Sequence, residues 1–150
     1  MLDGDPLKLW YAYAERVAGS IAEPAWRAAL EQARHDVEGG DLGFADLVLY
    51  GDPGVDELLR RKEADRTRTR RNFERHTAMA PSFRRWYEAL ADVDATTDGA
   101  ERVIWELPES GLDGVLRSGP IDPRPVRSDV GLLDAVLARL GVDGPPSPPA

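Results

Sequence analysis

At 150 residues, with a formal charge of −8 and no cysteine, the chain is the size of one domain and has no disulfide, thiolate metal site or thiol nucleophile. No run of eighteen apolar residues occurs, and "MLDGDPLKLW" lacks the basic start and apolar core of a signal peptide. A cytoplasmic protein with no membrane partner is therefore the expectation.

Helical punctuation starts early. Asp5 is placed to cap a helix, Pro6 suits its first position, and Leu7, Trp10, Tyr11, Ala14 and Val17 recur at three and four. A second helix follows from the capping-box spacing of Ser20 and Glu23, a stripe of Trp26, Ala29, Leu30, Ala33 and Val37, and a stop at Gly39 and Gly40. The two are expected to pack as a pair. In "DLGFADLVLYG", Leu42, Ala45, Val48 and Leu49 favour a short buried helix over a strand at Leu47 to Tyr50.

Asp52 and Pro53 then read as cap and first turn of a long helix over 53–80 that ends at Pro81. Its stripe holds Val55, Leu58 and Leu59 at one end and Phe73, His76, Thr77 and Ala80 at the other, with Lys62, Arg66 and Thr69 interrupting it. Ser82 is placed to cap the next helix, which carries Phe83, Trp86, Tyr87 and Leu90 and closes at "DATTDG". Asp98 and Glu101 repeat the capping-box spacing, so "ERVIWEL" over 101–107 reads as helix although "RVIW" has strand-like composition. The prolines of "GPIDPRPVR" require extended chain, and Ser128 opens a last helix on Val130, Leu133, Val136, Leu137 and Leu140 that Gly141 stops. These readings predict an all-α fold: an irregular bundle of about six to seven helices, one of them long and Arg-rich. The domain is expected over 1–142, with a disordered Pro-rich tail over 143–150.

Charge is distributed unevenly. Residues 60–85 hold ten basic residues against Glu63, Asp65 and Glu74, a local charge of +7, which leaves −15 for the remainder of a chain at −8. On one helix over 53–80, Arg61, Arg68 and Arg75 recur every seven positions, about 10 Å apart, and make a row. With Arg71 beside them they are the candidate partner-binding residues. Ion pairs to Asp56, Glu57, Glu63 and Glu74 would instead make the run a solvated, self-paired face.

Other chemistry is sparse. Glu31, His35 and Glu38 share a helix face opposite the Trp26 and Leu30 stripe, too exposed and too few for a structural metal, and no metal is expected. His76 has no serine nucleophile motif or Gly-rich phosphate loop beside it, and no cofactor is implied. Lys62, Arg66, His76 and Tyr87 are the candidates for an anion pocket.

The favoured functional expectation is a noncatalytic adaptor, regulator or assembly protein whose arginines meet an acidic protein surface or a second copy of the chain, since guanidinium groups suit bidentate carboxylate contacts. Phosphate binding on nucleic acid by the same helix is an alternative, disfavoured by the net charge. A small helical enzyme or carrier for an anionic molecule is another. Deleting residues 143–150 is expected to shift the melting temperature by no more than a few degrees, because "DGPPSPPA" offers no large apolar side chain to dock.

Overall fold

A computed structural model of the chain describes residues 7–64, 73–97, 102–106, 111–118 and 130–142. In chain order the elements are α1 (Leu9–Val17), α2 (Glu23–Gly39), β1 (Val48–Leu49), α3 (Gly54–Ala64), α4 (Phe73–Thr97), β2 (Val103–Ile104), α5 (Gly111–Ser118) and α6 (Val130–Arg139). The fold is a mostly helical bundle, as the periodicity predicts, with a two-stranded parallel ribbon attached.

The 25-residue α4 is the axis of assembly, with α1 and α6 packed against it and α2 bridging those two. It serves because its stripe of Met79, Trp86, Tyr87, Leu90 and Val93 is buried along most of its length. Trp86 and Leu90 are fully enclosed, and each such side chain contributes about 1.5–3 kcal/mol when removed from water. Helix α2 buries the predicted Trp26, Leu30, Ala33 and Val37. It ends at Gly39, where Gly40 takes a left-handed φ of 74° and the Asp41 N–H reaches back to the Asp36 carbonyl. Leu132, Leu133, Val136 and Leu137 face inward from α6, whose stop at Gly141 also has positive φ.

Several expectations are corrected. Helix α1 begins at Leu9 rather than Pro6, because Lys8 sits at φ 51°, which a continuing helix cannot contain. Its buried residues are Leu9, Tyr13 and Ala14, while Val17 is 57% exposed. The stripe is rotated because α1 packs on both α2 and α4, and two partners rather than one select the buried face. Helix α2 begins after Ala22, which makes no side-chain cap, and Glu23 pairs with Arg16 and Arg27 instead of closing a box with Ser20.

Pro81 does not end a helix; it lies inside α4, and Ser82 is a buried mid-helix residue rather than a cap. Proline removes one helical hydrogen bond at a cost of about 3 kcal/mol. Burial of Met79 before it and of Trp86 and Leu90 after it on one continuous face offsets that loss. The helix expected over 53–80 is described in two pieces, α3 and the start of α4, and Arg66, Arg68 and Arg71 lie outside the described residues. One straight helix would separate Lys62 from Glu74 by about 18 Å along its axis, yet Lys62 Nζ is 2.7 Å from Glu74 Oε1. The two pieces therefore sit side by side there. The expected tail and the caps at Asp5, Asp98 and Ser128 also lie outside the described residues.

The segments "LVLY" and "RVIW" pair as strands rather than forming helices. Val48 is in register with Val103 and Leu49 with Ile104, and the N–H groups of Val48 and Tyr50 donate to the carbonyls of Arg102 and Ile104, each at 2.9 Å. The sequence spacing near Val103 suited a helix, but a long-range pairing partner and a buried anchor decide otherwise. That anchor is Arg102: its Nε is 2.7 Å from Asp94 Oδ2 and its Nη1 donates to the Ala45 carbonyl at 3.0 Å. Both side chains are buried, at 9% and 5% exposure.

Breaking a buried, hydrogen-bonded ion pair from one side leaves the other charge stranded. Asp94→Leu or Arg102→Met alone is expected to cost about 3–5 kcal/mol in urea unfolding. The double variant should recover much of that loss, because no uncompensated charge remains.

Candidate functional site

Among the described residues, burial and charge separate a core built on α1, α2, α4 and α6 from elements outside it, of which α3 carries part of the basic run. Along one side of α4 runs a contact series of aromatic rings: His76, Tyr11, Phe83, Trp10, Tyr87, Tyr50 and Trp105. Phe83 and Tyr87 stand four residues apart on α4, Trp10 and Tyr11 come from α1, and Tyr50 and Trp105 follow β1 and β2. Three of these six contacts are edge-on, as between Trp10 and Phe83 at 4.8 Å, a geometry ring quadrupoles favour. Arg84 covers the outer face of Trp105 at 5.4 Å. This series was only partly legible, because Tyr50 and Trp105 belong to segments whose spacing reads as helix. Their strand-like neighbours were the available signal.

Of the anion-pocket candidates, Lys62, His76 and Tyr87 each contact different partners, and Arg66 lies outside the described residues. Tyr87 is buried against Trp10 and Tyr50. His76 is exposed and its Nε2 lies 3.2 Å from the Tyr11 hydroxyl. Lys62 pairs with Glu74 and lies 4.4 Å from the Phe73 ring centre. Hydrogen bonding from Lys62 holds the Glu74 carboxyl below the usual carboxylate range. That pairing is complete above the ordinary carboxylate pKa and is lost as pH falls through the lowered value.

The described arginines of the predicted row are both occupied by the chain's own carboxylates. Arg61 Nε is 2.6 Å from Glu57 Oε1, and Arg60 grips the other oxygen of the same carboxylate at 2.7 Å. Hydrogen bonds from Arg60 first, and from Arg61, depress the Glu57 pKa. Arg75 pairs with Glu15 across the α1–α4 contact. Nothing in the sequence marked Glu15, since the pairing depends on how α1 lies on α4.

Helix α3 differs from the body in having no buried residue at all. Leu58 is half-buried, but Val55 and Leu59 are 51% and 40% exposed. Its N-terminus is capped by Asp52 Oδ1, which accepts from the Gly54 N–H at 3.1 Å. Asp52 also lies within electrostatic reach of α4. The Arg84 pKa is raised chiefly by Glu88 and more weakly by Asp52, and the Tyr50 pKa by burial and then by Asp52. Among the described residues no helix is long and apolar enough to cross a membrane, and no group of three or more potential ligands could hold a metal.

Arg75→Glu sets a second carboxylate against Glu15, which is 17% exposed, and is expected to cost about 1 kcal/mol in urea unfolding. Arg61→Glu, on the exposed side of α3, should leave the unfolding midpoint nearly unchanged. No family model, no curated protein sequence and no solved structure matches this chain.

Proposed function

We propose that this is a noncatalytic helical interaction protein that docks through α3 onto a protein surface carrying an apolar groove and acidic groups. The single observation behind this reading is that α3 buries no residue while exposing Val55 and Leu59, with Arg60 and Arg61 on the same helix. An amphipathic helix laid into a partner's groove uses apolar anchors at three- and four-residue spacing, which Val55, Leu58 and Leu59 provide. Carboxylates on the partner would exchange with Glu57 for the two guanidinium groups.

Size argues for a transient contact. The 11 residues of α3 span about 16 Å, and one such helix face covers less than the roughly 800 Å² per partner of a stable interface. The net charge of −8 weighs against phosphate binding as the main role. The divergent partners of Lys62, His76 and Tyr87 weigh against a catalytic or anion-carrying pocket.

The test compares the wild type with Val55→Glu/Leu59→Glu by crosslinking in the cells that make the protein and by native mass spectrometry. Wild type is expected to carry a protein partner or a second copy, and the double variant to lose it while keeping the same melting temperature. Equal recovery by both proteins removes the proposal, and copurified nucleic acid lost on Arg60→Glu/Arg61→Glu would replace it with the phosphate-binding reading.

A further inference from the structure

From the way α3 is held, we infer that it is a releasable latch: tethered to α4 through Lys62 near its C-terminal end, it swings away and adds Leu58 to the already exposed Val55 and Leu59. This inference rests on the reading of α3 as the docking element and concerns how that element is regulated. The chain enters α3 from Tyr50, whose ring is 5.4 Å from that of Tyr87 on α4. At its end, Lys62 touches Glu74 and Phe73. Those contacts bracket α4 from Phe73 to Tyr87, about 21 Å of helix, so α3 runs antiparallel beside it.

Apart from that tether the helix is scarcely held. The α3 and α4 backbones make no extended approach, whereas helices packed ridge into groove lie 8–10 Å apart along their contact. Apart from the Asp52 cap, the only hydrogen bond, ion pair or ring contact that leaves α3 among the described residues comes from Lys62. Its partner Glu74 is 76% exposed, so water and salt screen the pair. An element with few buried apolar contacts and a screened tether belongs to the low-stability end of a fold and opens without global unfolding. Release frees Leu58 and uncovers the Phe73 ring beneath Lys62. Both would then be available to the partner that Val55 and Leu59 contact.

Hydrogen exchange on the full chain, read by mass spectrometry at low and high sodium chloride, tests the latch. Residues 54–64 are expected to exchange at least about tenfold faster than 132–137 of α6. Added salt, or Lys62→Met, should speed residues 54–64 several-fold further and leave α6 and residues 86–93 unchanged. The salt series on the wild type carries the test if Lys62→Met fails to fold. Exchange of α3 together with α6, or α3 exchange indifferent to salt, overturns the latch whatever the partner experiment gives. Conversely, a salt-releasable α3 with no partner lost on Val55→Glu/Leu59→Glu keeps the latch and removes the docking reading.

Discussion

The Asp94–Arg102 ion pair is the constraint on which the placement of the ribbon and of α3 depends. Two charges cannot be left in a protein interior unless each is paired and its remaining hydrogen-bonding capacity used. Arg102 meets that demand with three segments at once: its Nε takes Asp94 on α4, its Nη1 takes the Ala45 carbonyl, and its own carbonyl accepts the Val48 N–H of β1. Strands of two residues would be marginal by themselves. Anchored this way, they hold Tyr50 against Tyr87 and so fix where α3 begins.

From that point the chain's charges are spent largely on itself. Arg75 with Glu15 joins α1 to α4, Arg34 with Asp134 joins α2 to α6, and Arg139 with Asp92 joins α6 to α4. A protein at −8 with a local stretch at +7 could have been a scaffold with a bare cationic face. The described arginines other than Arg85 instead bridge elements or pair along a helix, so basic composition among the described residues reports architecture as much as recognition. Helix α3 shares in the ion pairing with α4 through Lys62 and contributes no residue to the core. Loose attachment and exposed apolar residues on the same helix are two aspects of one fact: among the described residues, α3 has no buried side chain to fasten it to α4. That surface is what a partner would use.

The helical class, the stripes of α2, the second half of α4 and α6, and the stops at Gly40 and Gly141 were legible from sequence because each depends on neighbours within about one turn: 3.6-residue periodicity, and glycine's tolerance of positive φ. Tertiary structure alone decided the rest. Whether Pro81 breaks a helix depends on the apolar burial flanking it, and whether "LVLY" and "RVIW" are strands depends on a partner more than fifty residues away. The rotation of α1 follows from two neighbours acting at once. The candidate site divides the same way. Sequence marked Arg61, Arg75, Lys62 and His76 by type and spacing, but their carboxylate and tyrosine partners come from other turns and other helices. The exposure of Val55 and Leu59 could not be read from a periodicity that promised burial, because a stripe specifies only which residues can be buried together, and the surrounding fold decides whether anything covers them.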